Sequence, residues 1–195
     1  MFADEKYRTF GRRFCAGIID GLVLSPLAFV DNAATLTHQP KWILVSWAIV
    51  SVCTYPAYSI LMHGFFGRTV GKRAMHLLVL DVSEQRRLSF SQAFLRDLGL
   101  VFFSSLHLAN LVRTIIVYGV FDDNSYMPTW MRAFIGLGGL IWYSIELLTA
   151  LLNDKQRAIH DRIAGTVVVD EGAVPLRIMK RLFGDSKTGS VSILG

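Results

Sequence analysis

The stretch "RRFCAGIIDGLVLSPLAFV", residues 12–30, decides the fold. Its apolar run is long enough to reach across a bilayer core, at the short end of the range for a spanning helix. Asp20 interrupts it, seven places after Arg13. A carboxylate at the bilayer centre costs about 2.5–3.5 kcal/mol on insertion scales, so such residues are rare and face a bundle interior. Seven residues are two helical turns, which puts Arg13 and Asp20 on one face about 10 Å apart, too far to pair with each other. Arg13 is expected to snorkel to the membrane interface while Asp20 points inward. There Asp20 either meets a basic or amide partner on another helix or serves as an ion or proton site.

The rest of the chain repeats the apolar pattern. Of its 195 residues 52% are hydrophobic, 12% aromatic and only 18% charged, against about a quarter charged in soluble domains. Mean hydropathy is +0.42. Further apolar segments cover residues 42–66 (with Pro56 as an expected kink), 98–121 and 133–152. The first run lacks a small-residue cleavage site, so it is expected to remain as a span rather than be removed. Lys and Arg crowd the N-terminus, the loop 67–97 and the tail, whereas 31–41 and 122–132 carry one basic residue each. The positive-inside rule then places both termini and the central loop in the cytoplasm. The expected architecture is an all-α membrane protein: a four-transmembrane-helix bundle with a small cytoplasmic β hairpin or sheet.

That sheet is expected from local pattern. "LLVLDV" (77–82) and "GTVVVD" (165–170) read as strands, and "SEQR" followed by "RLSF" reads as the turn and return arm of a hairpin. Ser89 with Gln92 forms a capping box that opens a helix. The domain organisation is a cytoplasmic N-terminus (1–13), a transmembrane domain (14–170) and a tail (171–195) whose Gly/Ser-rich end is expected to be disordered.

Several functions are set aside. The net charge of +5 comes from residues flanking apolar segments, where topology and anionic lipid explain it, and no nucleic-acid motif accompanies it. Cys15 and Cys53 lie in apolar segments without metal spacing and read as packing residues. In "FFGRTVGKR" (65–73) the glycine spacing is not that of a P-loop and no Ser or Thr follows Lys72, which is expected to contact lipid headgroups. The neighbours His160 and Asp161 have no nucleophile to serve, so no enzyme, cofactor or metal is expected.

Two acids at membrane depth, Asp20 and Glu146, are the candidate ion or proton sites. Arg113 is the candidate counter-charge for Glu146. His107 and Asn110, one turn apart, either line a polar cavity or pack as hydrogen-bonded residues.

Four segments in order resemble the RDD family of membrane proteins: "RRFCAGIID", "GRTVGKRAMHLLVLDV", "LSFSQAFLRD" and "QRAIHDRIAGTVVV". Each motif is weak singly, and their order is specific. The resemblance implies that the arginine and two aspartates of the family name are Arg13, Asp20 and Asp161, with Lys72, Arg73, Arg96, His160, Arg162, Gly165 and Thr166 on other motif positions. Many members have three spans; this chain reads as four. Some members are described as sodium/proton antiporters. The resemblance therefore implies an inner-membrane transporter exchanging protons for a monovalent cation, with Asp20 as the binding group and Arg13 with the Asp161–Arg162 cluster gating access from inside. Four helices enclose little volume, so a homo-oligomer is expected to supply the path. The alternative is an accessory or scaffold membrane protein in which Arg13, Asp161, Arg162 and Arg113 form a structural charge network.

Overall fold

Apolar runs in lipid have no partner for their backbone but themselves, so they must be helical. The computed structural model describes residues 5–36, 39–122 and 125–183, and the order of its elements follows from that constraint. Helix α1 (Phe10–Leu24) is followed by α2 (Pro26–Leu36), α3 (Lys41–Phe66), the short α4 (Val70–Ala74) and strand β1 (Leu77–Asp81). Then come α5 (Phe90–Arg96), α6 (Leu98–Tyr118), α7 (Thr129–Leu151), the short α8 (Ile159–Ile163), strand β2 (Thr166–Asp170) and α9 (Leu176–Phe183). The tail expected to be disordered, 184–195, lies outside the described residues.

Helices α3, α6 and α7 are each long and apolar enough to cross a membrane. The first expected span is instead a bent pair: the helical axis turns by 49° between α1 and α2. Pro26 has no N–H to continue the ladder, and the Ser25 hydroxyl donates to the Leu22 carbonyl at 2.8 Å at the break. Pro56 sits inside α3, as expected. Outward positions on α6 and α7 carry Ile116, Val117, Leu137, Leu140 and Ile141, all more than half exposed. Water does not suit so continuous an apolar surface, and lipid does. Cys15 and Cys53 are free and exposed, so they face outward rather than pack in the core as their sequence context suggested.

The two strand-like runs join in one sheet, as expected, but the return arm of the hairpin is not part of it. β1 pairs with β2 antiparallel, Leu77 opposite Asp170 through Asp81 opposite Thr166. The "RLSF" arm contributes only an isolated bridge between Leu80 and Arg87, because the chain turns at once into α5. Ser89 caps that helix, with its side chain accepting from the Gln92 N–H and Gln92 accepting from the Ser89 N–H. Alternation splits the strands between two faces. Leu77, Val79 and Val168 pack with Ala16 of α1 and Ala93 of α5. Leu78, Leu80, Val167 and Val169 face away and are covered by Met179, Leu182 and Phe183 of α9. A separate cluster, Leu44 and Ala48 with Leu111 and Ile115, joins α3 to α6.

One contact sets how closely the bundle meets its cap. A side chain at Gly71 would put its Cβ 2.0 Å from the Ala16 carbonyl oxygen, so α4 lies on α1 backbone to backbone. Gly71→Ala is expected to cost at least the upper end of the about 1–3 kcal/mol typical of overpacking, since backbone cannot swing aside as a side chain can. Thermal unfolding in detergent checks it, with Gly11→Ala as the neutral control because nothing lies within 4 Å of that position.

Candidate functional site

The site begins with Asp161, which the "HDR" sequence places on the first turns of α8 and which is wholly buried. Arg13 Nη1 of α1 lies 2.8 Å from its Oδ2, and Arg96 Nη2 at the end of α5 lies 3.3 Å from its Oδ1. The Thr166 hydroxyl donates to Oδ1 at 3.2 Å, and the Ala158 N–H donates to Oδ2 at 3.3 Å. Arg13 also donates from Nε to the Thr9 hydroxyl at 2.9 Å. Burial works against the Asp161 carboxylate, but Arg96, His160 and Arg13 outweigh it and hold its pKa well below the ordinary value. One carboxylate thus joins α1, α5, α8 and β2.

Asp20 is held differently. Its Oδ1 accepts from the Tyr58 hydroxyl at 2.7 Å and from the Gly71 N–H at 2.7 Å, and its Oδ2 accepts from the Thr69 hydroxyl at 2.6 Å. No basic side chain is among these donors. The expected basic or amide side-chain partner is therefore replaced by two hydroxyls and a backbone amide. The "TVGKR" turn presents them: Thr69 caps α4, accepting from the Lys72 N–H, and Gly71 brings its backbone against α1. Asp20 pins α1 to the α3–α4 corner.

Between these two locks lies a cavity of about 920 Å³, lined by residues of α1, α3, α6 and α7 and by Lys72, Arg96 and His160. Its polar end holds two close pairs. Glu146 Oε1 and His160 Nδ1 are 2.7 Å apart. Burial works against the His160 imidazolium, but Asp161 and Glu146 outweigh it and raise its pKa. Lys72 Nζ and His63 Nε2 are 2.6 Å apart. His63 Nδ1 lies 2.8 Å from the Ser59 carbonyl oxygen, so a proton on Nδ1 donates there and leaves Nε2 to accept from Lys72. Burial, helped by Arg96, pulls the Lys72 pKa down to about 7. Asp97 also lines the cavity, and its Oδ2 is buried without a hydrogen-bond partner; so are Nε and Nη1 of Arg96.

Of the sequence candidates, the structure gathers Arg13, Asp161, Arg96, His160, Thr166 and Glu146 into one cluster, with Lys72 and Asp20 on the cavity beside it. Arg162 is exposed on α8 and supplies none of these contacts; Arg73 is exposed as well. Arg113 donates to the Tyr126 carbonyl oxygen at 2.9 Å, so the expected Arg113–Glu146 pair does not form. The reason is direction: α6 and α7 run antiparallel, and Arg113 lies about 22 Å along α6 from the end that Glu146 occupies. His107 and Asn110 do not line the cavity. Lys72 turns inward to His63 instead of outward to lipid. Gly165 takes a φ of +64° at the turn into β2, where its carbonyl oxygen accepts from Gln92 Nε2 at 3.3 Å. Sequence reasoning missed Tyr58, His63, Thr69 and Asp97. Thr69 stood in a quoted motif; Tyr58 and His63 stood out only as polar residues in an apolar span.

Asp161 is shared, and that sets two outcomes. The exchange Arg13→Asp with Asp161→Arg is expected not to recover stability, because the new arginine meets Arg96 and His160; recovery to near the wild-type melting temperature would refute the shared hub. Removing the carboxylate alone, in Asp161→Asn, leaves buried guanidiniums uncompensated and is expected to cost about 3–5 kcal/mol. The raised His160 pKa contributes stability that is complete below the unfolded value of about 6.5 and is lost as pH rises through the folded value. The melting-temperature difference between wild type and His160→Asn is therefore expected to shrink as pH rises above 6.5.

The RDD family profile matches residues 7–165. The chain is 25% identical over 171 residues to the "Uncharacterized membrane protein YteJ" of Bacillus subtilis (strain 168), covering 85% of this chain and 82% of that one. No solved structure matches. The matched region runs from Tyr7 through Gly165 and so contains Asp20 with its three donors, Asp161 with both its arginines and every charged group lining the cavity, while Thr166 lies one residue beyond; this membrane protein belongs to the RDD family.

Proposed function

We propose that the protein is a proton-coupled carrier of the inner membrane that exchanges protons for a monovalent cation in the cavity between α1, α3, α6 and α7. Both termini and the sheet lie in the cytoplasm in this reading. The observation that carries it is the Lys72–His63 contact of 2.6 Å at the cavity. Two nitrogen bases at that distance share a proton, and a lysine pKa of about 7 lets that proton leave and return near neutral pH. Charge bookkeeping supports the same reading. Asp20, Asp97, Glu146 and Asp161 face Arg13, Arg96 and the His160 imidazolium, which leaves one negative charge. A protonated Lys72 cancels it; a neutral Lys72 leaves room for one monovalent cation.

The binding group is not Asp20 in this proposal. Three neutral donors already occupy that carboxylate, and an N–H donor is unsuited to a cation site. Glu146 and Asp97 supply the negative charge instead. Residues of one chain line the cavity, and the exchange is proposed here without a second copy. The accessory reading keeps one specific support: the Asp161 hub ties the elements together without reference to any cargo.

Proteoliposomes with an internal pH dye separate the two. Adding sodium, lithium or potassium across an imposed pH gradient is expected to drive proton movement that falls at least tenfold in Lys72→Met and is unchanged in Arg73→Gln, an exposed neighbour. Flux of undiminished size and pH dependence in folded Lys72→Met would sink the proposal. A folded wild type that moves no protons with any of the three cations would favour the accessory role.

A further inference from the structure

The cavity is far larger than a bare ion needs, and most of its wall is aromatic and apolar. About 920 Å³ is the size of a pocket for a drug-sized molecule. Phe14 of α1, Phe103 of α6 and Trp142 and Tyr143 of α7 line it, and Tyr55 of α3 completes an aromatic wall. Trp142 is seated tightly, its ring 2.5 Å from where a Cβ at Gly99 would lie. Among the described residues no three His, Cys, Asp or Glu side chains converge as a metal-type cluster.

The cavity also opens sideways. Helices α1 and α7 both line it, and each packs chiefly on other elements, α1 on α4 and α2 and α7 on α6 and α8. On these two helices Phe14 is 69% exposed, Ile18 52% and Tyr143 65%. In a membrane those residues meet acyl chains. An occupant can therefore pass between bilayer and cavity without crossing the polar end.

We infer that the cation exchanged is a lipophilic organic monocation, of the quaternary ammonium or phosphonium kind, entering laterally between α1 and α7. Its apolar groups lie against Phe14, Trp142 and Tyr143, whose ring faces attract a desolvated cation. Its charge faces Glu146 and the unpartnered Oδ2 of Asp97. Arg13 and Arg96 do not repel it as free charges, because both are engaged by Asp161. Lys72 does compete with it, and faces His63 of α3, Arg96 and Asp97 at the α5–α6 junction, Asp161 of α8 and Arg13 of α1. This inference rests on the exchange reading and names its substrate class.

Two probes of equal size and opposite charge test it: tetraphenylphosphonium and tetraphenylborate, titrated onto the full chain in lipid nanodiscs. Tryptophan fluorescence reads binding, and a dye in weakly buffered solution reads proton release. The phosphonium is expected to bind saturably and release about half a proton at pH 7, rising toward one at pH 6, where a group of pKa about 7 is mostly protonated. Its affinity should be about tenfold weaker at pH 6 than at pH 8, as competition with a proton at a pKa of about 7 requires. Tyr143→Ala is expected to weaken it about tenfold with the melting temperature of the protein unchanged. Sodium-driven release through Lys72 with no phosphonium binding would overturn the substrate class and spare the exchange. Phosphonium binding without proton release would support the ligand class and overturn the exchange. Preference for the borate would overturn the cation assignment and give the cavity, through Nε and Nη1 of Arg96, to an anionic amphiphile.

Discussion

The structure depends on one buried carboxylate. Asp161 is inaccessible to solvent, and in isolation its burial would be prohibitive. Arg13 and Arg96 remove that penalty only because they come from different elements, α1 and α5, and because Thr166 and the Ala158 N–H satisfy remaining lone pairs. Such a cluster is weak as a source of net stability, since apolar packing can do as well. Its effect is positional. None of the three charges can be satisfied unless α1, α5, α8 and β2 meet in one arrangement.

Asp20 supplies a second fixed point by another route. It needs no opposite charge because the α3–α4 corner delivers two hydroxyls and a backbone N–H to it. Gly71 makes that possible by letting α4 touch the backbone of α1. With α1 held at both points, the space between α1 and α7 stays open rather than collapsing. The groups left facing it are the close pairs Lys72 with His63 and Glu146 with His160. The charged pattern in the chain thus divides into a frame and a working surface, and the residues of the family name fall on the frame.

Much of the fold was legible in advance because its causes are local. Apolar length marked the spans, alternation marked β1 and β2, and Ser89 with Gln92 marked the start of α5. The bend at Ser25 was not read, although Pro26 carried its cause. The "RLSF" arm was misread as a strand because alternation over so few residues does not distinguish a strand from the lead-in to a helix. In the site, Arg13, Asp161, Arg96, His160 and Thr166 came through the motifs, while the partners chosen for Glu146 and Lys72 were wrong. The positive-inside rule already sets 98–121 and 133–152 antiparallel, with Arg113 far from the cytoplasmic end, whereas the inward turn at Gly71 leaves no mark in spacing along the chain.

The sequence by itself determined that the chain lives in a membrane, where its apolar segments lie and which charged residues stand where lipid would not tolerate them. These are consequences of transfer free energy, which each segment carries with it. Tertiary structure alone decided that Asp161 is shared by two guanidiniums, that Asp20 is caged by neutral donors and that Lys72 meets a histidine at the wall of the cavity. A buried charge is satisfied by whatever the fold brings within about 3 Å, and that choice belongs to helix packing, not to the order of residues.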